Sequence, residues 1–347
     1  MSRPLLRIVA RCYHVAYKLH HRLCLRPGKP LAHAQLIVVG SYLAGGAGKT
    51  PFTAWLAQFI SAQFISAQFI SAQFIQKNSA GSAGKESAGK ECAGEKPAAP
   101  RIAILCHRKA QDEASMLRQH FTGSPHIQVF TTGNRYRTAL ELDKNYDYVI
   151  CDDGFEDTRL VNAKVIRLDW GEPPTHIADL LPAGKCRSLL QDHDAPALVL
   201  QCGETVAAVP TCGHIPTREA IQTRKPADIS FTIACIKNAA GTAFTPQKQQ
   251  NVVAACGIGN PERFRENLAA LGISPAEFVA RPDHDKHFEQ IINRLTTRSK
   301  TVIITAKDAN RLPCSLINNP RIFTAYQQVN ISEQAISRLQ SALLPQK

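Results

Sequence analysis

The sequence is poor in long apolar runs and in grouped cysteines. It contains no run of about 18 consecutive apolar residues, the length that a membrane-spanning helix requires. Its 11 cysteines are scattered, odd in number and never spaced as CxxC, which argues against a disulfide framework or a zinc site. A signal-peptide pattern is also lacking, because arginines interrupt the apolar N-terminal stretch and no small-residue cleavage site follows. We therefore expect a cytoplasmic protein with free thiols.

Acidic residues are absent from the first quarter of the chain. Residues 1–85 contain ten Lys or Arg and no Asp or Glu, and the first acid is Glu86. Because the 347-residue chain has a net charge of +13, most of its excess positive charge lies in this segment. Clustered cations are typical of proteins that bind nucleic acid, anionic lipid or nucleotide.

The stretch 3–24, RPLLRIVARCYHVAYKLHHRLC, has apolar residues three or four positions apart. They are Leu5, Val9, Cys12, Ala16, Leu19 and Leu23. This spacing predicts a basic amphipathic helix. Such a helix either lies in a membrane interface, with its cations on anionic headgroups, or packs on its own domain. The sequence has neither zinc-finger spacing nor an aromatic-basic RNA motif, so we expect no nucleic-acid partner.

A glycine-rich turn follows the first strand-like run. In AQLIVVGSYLAGGAGKTPFTAWLAQF, residues 34–59, an apolar run leads into the turn and then into a helix-like segment. This is the context of a phosphate-binding loop, in which backbone N–H groups and the helix N-terminus face an anion. Lys49 would reach the β- and γ-phosphates of ATP, and the hydroxyl of Thr50 would hold Mg²⁺. The pattern GxxxxGK[ST] has glycine where this chain has Leu43.

A second apolar run ends in two acids. The stretch YDYVICDDGFEDTRL, residues 146–160, places Asp152 and Asp153 at the expected carboxyl end of a buried strand. Parallel α/β sheets bind ligands at that end. An acid that follows an apolar strand downstream of a phosphate loop is typical of the Walker B position, which holds Mg²⁺ directly or through water.

Six landmarks occur along the chain in the order found in one known family. They are LAGGAGKTP at 43–51, DDGFED at 152–157, LLPAGKCRS at 180–188, ACGIGNPERF at 255–264, RPDHDKHF at 281–288 and TAKDANR at 305–311. With them the chain resembles the tetraacyldisaccharide 4′-kinases, the lipid A kinases of Gram-negative bacteria. The family's motifs are VGGTGKTP, DDGFQH, LLPAGPLRE, AGIGNPxRF, PDHxxF and TEKDxxK. Its phosphate loop also lacks the first Walker glycine, and its basic N-terminal helix sits on the membrane.

The resemblance implies a kinase that uses ATP and Mg²⁺ to phosphorylate the 4′-hydroxyl of a tetraacylated glucosamine disaccharide 1-phosphate. This substrate is a lipid A precursor, so the resemblance also implies a peripheral enzyme on the cytoplasmic face of the inner membrane. The sequence leaves its oligomeric state open.

The resemblance also implies roles for particular residues. The nucleotide phosphates would be bound by Leu43, Ala44, Gly45, Gly46, Ala47, Gly48, Lys49 and Thr50. Lys49, Asp152 and Asp153 would be catalytic, with Thr50 and Asp153 as the metal ligands. In the family an Asp after the second strand pairs with the His of PDH, which makes Asp112 the candidate base and His284 its partner.

Several family positions are changed in this chain. CHRKA stands at 106–110 where the family has SRGYG, and DDGFED replaces DDGFQH. Ala306 replaces the glutamate of TEKD, and Ser188 replaces the glutamate of PLRE. These changes leave a second interpretation open, in which the chain is a nucleotide-binding phosphate-loop NTPase or a catalytically impaired relative of the kinase at the membrane surface.

Alternating strand-like and helix-like segments around a phosphate loop predict a doubly wound parallel α/β sheet. We expect the basic helix at 1–29, a phosphate-loop kinase domain at 30–205 and a smaller α/β lobe at 206–347. As in the family, substrate would lie between the two lobes, and their closure would complete the site.

The tetrapeptide AQFI occurs four times, starting at residues 57, 62, 67 and 72. Successive copies on a helix are rotated by about 140°, so their phenylalanines cannot share one face. We expect the first copy to finish the helix that follows the phosphate loop. The later copies, within a low-complexity insertion at 62–100, would extend that helix past the domain without a chemical role.

Overall fold

The computed structural model describes residues 3–79, 99–203, 227–245, 252–283, 285–298 and 300–343, with only the helical backbone described at 65–79. The strands are β1 (Gln35–Gly40), β2 (Ile102–His107), β3 (Ile127–Thr132), β4 (Tyr148–Asp152), β5 (Lys164–Asp169), β6 (Leu198–Gly203), β7 (Ile229–Lys237), β8 (Val252–Cys256), β9 (Glu277–Ala280), β10 (Thr301–Thr305) and β11 (Ile322–Ile331). The longer helices are α1 (Arg3–Cys24), α2 (Lys49–Ser79), α3 (Gln111–His120), α4 (Arg135–Leu142), α5 (Pro261–Ala270), α6 (Phe288–Thr297) and α7 (Glu333–Leu343). Shorter helical turns are Ile177–Asp179, Leu190–Asp192, Ala306–Ala309 and Cys314–Ile317.

These strands form one continuous sheet in the order β3-β2-β4-β1-β5-β6-β7-β11-β10-β8-β9. Neighbouring strands are parallel except β7 and β11. The predicted doubly wound α/β architecture is confirmed. Strand β1 lies between β4 and β5, so the loop that leaves its carboxyl end meets the acids that end β4.

Alternate residues of β1 enter two separate cores. Ile37 and Val39 pack with the helix that follows the phosphate loop, whereas Leu36 and Val38 pack with α4 on the opposite face. A strand that is buried on both faces reads as a continuous apolar run rather than as an alternating one, which is why QLIVVG is predictable from sequence. Helices on both faces fix the height of the strand ends, and therefore the position of the loops that follow them.

The sheet continues from the first half of the chain into the second. Strands β6 and β7 pair at Cys202 with Ile229 and at Gly203 with Ser230. The core of the first half also includes residues of β7 and of α7. The strands expected at ISFTIACIK, NVVAACGIG and TVIITAK are present, as is the helix at PERFRENLAALG. The division at residue 205 stays a prediction, because the two halves share both a sheet and a core.

Helix α2 runs without a break from the phosphate loop through the AQFI repeat. Ile60 of the first copy is fully buried, and the side chains of Phe59 and Phe64 pack on either side of it against the same core. The Phe64 ring meets the ring of Tyr148 edge to edge at 5.8 Å. The start of the second copy is thus part of the folded core, so the extension beyond the domain begins later than residue 62. The phenylalanines of the third and fourth copies lie outside the described side chains.

The predicted amphipathic helix is confirmed as α1. Ala10 is fully buried and packs on Leu180 and Leu189, while most of the apolar side chains point to solvent. The exposed ones are Leu5, Ile8, Val9, Val15, Leu19 and Leu23. Within the described residues, no helix combines the length and the apolarity needed to cross a bilayer.

Candidate active site

The phosphate loop connects β1 to α2, and two of its glycines have conformations that other residues rarely adopt. Gly46 and Gly48 have φ angles of +70° and +80°. A Cβ atom on Gly48 would overlap the ring of Phe231, and one on Gly46 would lie 3.1 Å from the backbone of Gly259. The loop therefore needs glycine for its curvature and for its close contact with the second half of the chain.

The outer part of the loop is held by hydrogen bonds to its carbonyl groups. The indole Nε1 of Trp170 donates to the carbonyl of Ala47 at 3.0 Å, and Nη2 of Arg187 donates to the carbonyl of Ala44 at 2.6 Å. Leu43 makes an antiparallel bridge with Cys186. Because these contacts occupy carbonyl groups, the backbone N–H groups of the loop stay turned toward the cleft, as anion binding requires.

Lys49 and Thr50 open α2 and face the acids that end β4. Nζ of Lys49 lies 3.2 Å from Oδ1 of Asp153 and donates to the carbonyl of Leu43 at 3.4 Å. The hydroxyl of Thr50 donates to Oδ2 of Asp152 at 2.8 Å. The structure thus brings together the phosphate loop and the acid pair, and it places the Thr50 hydroxyl on Asp152. The assignment of Asp153 as a metal ligand stays a prediction.

The two acids differ in their surroundings. Asp152 is 5 % exposed, and burial together with the neighbouring charge of Asp153 raises its pKa. Burial acts in the same direction on Asp153, but the cations Lys49 and Arg187 outweigh it and hold the pKa of that carboxyl below its usual value. Asp153 also has a φ of +55°, a left-handed conformation that costs a non-glycine residue of order 1–3 kcal/mol. Its two cationic partners help to keep it there.

Two arginines complete this part of the site, and neither has a role in the sequence prediction. Nη1 of Arg187 donates to Oδ2 of Asp153 at 2.9 Å, and Nη2 of Arg135 donates to the backbone carbonyl of Asp152 at 3.0 Å. Arg187 belongs to the LLPAGKCRS landmark, which is the signal that points to it. Arg135 opens α4 in a stretch outside the six landmarks, so nothing in the sequence singles it out.

A second charged cluster joins α3 to the TAKDANR landmark across the middle of the molecule. Arg311 places Nη2 2.8 Å and Nε 3.0 Å from Oδ2 of Asp112, and the same Nη2 donates to Oδ1 of Asp283 at 2.8 Å. Nζ of Lys307 lies 3.0 Å from both Asp283 and Glu113. The candidate base Asp112 therefore lies beside the Asp of the PDH landmark. His284, its expected partner, lies outside the described residues.

The carboxyl groups of this cluster titrate differently. Burial opposes ionisation of Asp112, but hydrogen bonds from Glu113 and Arg311 hold its pKa well below the usual value. Burial and the hydrogen bond to Asp112 raise the pKa of Glu113 to about 7. Two adjacent carboxyl groups that share one proton show this division. Glu113 was not among the expected site residues, because a Glu beside an Asp on an amphipathic helix has no distinguishing pattern.

Both clusters line one cleft of ≈ 1580 Å³ between the two halves of the sheet. The lining includes Lys49, Thr50 and Asp153 on one side and Glu113, Asp283 and Lys307 on the other. A cleft of this size accommodates a nucleotide together with part of a second substrate. Backbone N–H groups, Lys49 and an acid pair supply what phosphoryl transfer requires, namely neutralisation of phosphate charge and oxygen donors for Mg²⁺.

Comparisons with known proteins agree with this geometry. The profile of the family described as tetraacyldisaccharide-1-P 4′-kinase matches residues 2–344. A tetraacyldisaccharide 4′-kinase of Bordetella parapertussis is 26 % identical over 318 residues, which cover 90 % of this chain and 84 % of that protein. One from Polaromonas naphthalenivorans is 30 % identical over 285 residues, covering 80 % and 71 % of the two chains.

A crystal structure of LpxK from Aquifex aeolicus in complex with ATP has a similar fold. It superposes with a TM-score of 0.58 at 19 % identity and covers 99 % of both chains. The family match extends over nearly the whole sequence, including all six landmarks and the N-terminal helix. The chain belongs to the tetraacyldisaccharide-1-phosphate 4′-kinase family.

Proposed function

We propose that this family member transfers the γ-phosphoryl group of ATP to the 4′-hydroxyl of a tetraacylated glucosamine disaccharide 1-phosphate. The observation that carries the proposal is the single cleft in which the phosphate loop and the acid pair face the Asp112 cluster. The names of the Bordetella and Polaromonas relatives support the acceptor, and the ATP complex of the Aquifex protein supports the donor.

On the donor side, the loop N–H groups and Lys49 bind the β- and γ-phosphates. The hydroxyl of Thr50 and the carboxylates of Asp152 and Asp153 are hard oxygen donors at the mouth of the loop, so they suit Mg²⁺. When bound, Mg²⁺ neutralises charge on the phosphate oxygens. Lys49 leaves Asp153 for the nucleotide as phosphate enters, which frees a carboxylate oxygen at the same step.

On the acceptor side, the 4′-oxygen forms a bond to the γ-phosphorus while the bond between that phosphorus and the β–γ bridging oxygen breaks. The hydroxyl proton passes to Asp112, the candidate base, with His284 as the proposed partner. The depressed pKa of Asp112 keeps it ionised at neutral pH, so it accepts the hydrogen bond of the hydroxyl and orients it. ADP leaves with the β-phosphate oxygen that was the bridge.

At the membrane, α1 supports peripheral binding to the cytoplasmic face. Its exposed apolar side chains, including Leu5, Leu19 and Leu23, suit the acyl boundary, and its basic residues suit anionic headgroups. Deletion of residues 1–24 should lower partitioning onto anionic vesicles in a sedimentation assay. Unchanged partitioning of the folded, truncated protein contradicts the membrane role.

One assay tests the kinase proposal. Wild-type protein with ATP, Mg²⁺ and the tetraacyl disaccharide 1-phosphate should yield the 4′-phosphorylated lipid, detected by mass spectrometry, while Lys49→Ala should yield none. ATP binding by the wild type without product would favour the catalytically impaired relative. Product from Lys49→Ala at the wild-type rate would remove the phosphate loop from the mechanism.

A further inference from the structure

One short segment lies between α1 and the nucleotide side of the cleft. Residues 187–193, RSLLQDH, begin at the phosphate loop and end beneath α1. We call them the linking segment. Its first residue contacts the acid pair and its last two contact α1, so a helix assigned only to the membrane is in physical contact with groups that contact the reaction site.

The α1 end of the linking segment is held by Asp192. Nε2 of His14 lies 2.9 and 3.1 Å from the two carboxylate oxygens of Asp192, and Nζ of Lys18 lies 3.6 Å away. The side chains of His14 and Asp192 are only 10 % and 3 % exposed. The Asp192 carboxylate also accepts from the backbone N–H of Leu189 at 2.9 Å, which ties the anchor to the segment itself. A buried pair of this kind persists only while α1 is docked.

The other end of the segment is Arg187. Its guanidinium bonds both Asp153 and the carbonyl of Ala44, as described above, and its backbone N–H donates to the carbonyl of Tyr42 at 2.9 Å. Asp153 keeps its left-handed backbone with the help of this contact. Five residues therefore separate the side chain that holds Asp153 from the side chain that holds α1.

A second route runs through His193 to the same acid. Nε2 of His193 lies 2.8 Å from the Ser188 hydroxyl and 3.3 Å from the hydroxyl of Tyr17 on α1. Its ring stacks on Phe155 with centroids 4.1 Å apart, and burial lowers its pKa to about 4, so the ring is neutral. Phe155 packs directly on Gly40 at the end of β1, two residues after Asp153. Both routes from α1 thus converge on Asp153.

We propose that α1 positions the nucleotide site: His14 and Asp192 are positioning residues that hold Arg187 on Asp153 and on the phosphate loop. The docked face of α1 thereby sets the affinity for ATP, independently of the exposed face that meets lipid. This inference rests on the proposed function, because it requires that the phosphate loop binds ATP.

The test is equilibrium binding of a fluorescent ATP analogue with Mg²⁺ to the full-length protein, without lipid substrate or vesicles. His14→Ala should weaken binding about fivefold, at the lower end of the range for coupled sites. Asp192→Asn, which keeps the side-chain size and an acceptor for Leu189, should act in the same direction. His20→Ala is the matched control, because His20 is an exposed histidine on the same helix and should leave binding unchanged.

A double-mutant cycle then separates positioning from general destabilisation. Once Arg187→Met has removed the guanidinium, His14→Ala should have no further effect on ATP binding. Additive losses, or normal binding in both His14→Ala and Asp192→Asn, overturn the inference while the wild type still binds ATP. Absence of binding by the wild type itself overturns the proposed function first. Circular dichroism checks that each variant is folded, and Asp192→Asn keeps the test decisive if His14→Ala is not.

Discussion

Arg311 joins the two halves of the chain, so Arg311→Met should destabilise the protein in a pH-dependent way. Its guanidinium contacts Asp112, 199 positions earlier in the sequence, together with Asp283 and the carbonyl of Gly257. The side chains of Arg311 and Asp112 are 19 % and 10 % exposed. Methionine keeps most of the aliphatic length and removes only the charge and the hydrogen bonds.

The expected magnitude lies between two limits. Breaking a fully buried pair costs about 3–5 kcal/mol, whereas an exposed pair contributes about 0–1 kcal/mol. The cluster is partly buried, and Lys307 remains 3.8 Å from Asp112 and 3.0 Å from Asp283 to compensate in part. We therefore expect a loss of about 2 kcal/mol in the free energy of unfolding at pH 7.

The sign of the pH dependence follows from Asp112. Its folded-state pKa is held below the usual 3.8, so its contribution to stability is complete above that value and disappears as the pH falls through the folded-state pKa. Urea unfolding of wild type and Arg311→Met should thus show a difference at pH 7 that shrinks at pH 3. The exposed Arg298 supplies the control, since Arg298→Met should change neither value. An equal difference at both pH values would refute the ion-pair reasoning.

Three further predictions concern single features. Gly48→Ala should abolish ATP binding in the fluorescence assay while the protein stays folded, because Cβ would overlap Phe231 at a φ of +80°; normal binding would mean that the loop adopts another path. Glu113→Gln should become more stable relative to wild type as the pH rises from 5 to 8, because a carboxyl whose folded pKa is raised to about 7 loses its stabilising proton there; parallel urea midpoints would contradict this. Deletion of residues 62–76 should leave specific activity largely intact yet lower the melting temperature by several degrees through loss of the Phe64 packing, whereas deletion of 67–76 should leave both unchanged; inactive but soluble protein in the first case would give the repeat a functional role.

The elements that carry a local signal were predictable. The phosphate loop shows three glycines, a lysine and a threonine between an apolar run and a helix, and each of these residues has its function through its own backbone. The basic helix α1 and the strands QLIVVG, NVVAAC and TVIIT likewise announce themselves by spacing or by continuous apolar character. The extent of the repeat was harder to judge. Whether Phe64 packs depends on the surface of β4 beside it, not on the period of AQFI.

The sequence by itself determined the fold class, the phosphate loop and the presence of an acid pair, because these depend on residues close together in the chain. Only the tertiary structure decided which acid meets Thr50, that Arg311 rather than solvent faces Asp112, and that α1 contacts the nucleotide site through Asp192. Each of those contacts joins residues more than 100 positions apart. Their energies come from burial and from geometry that exists only once the strands have paired, so no local pattern encodes them.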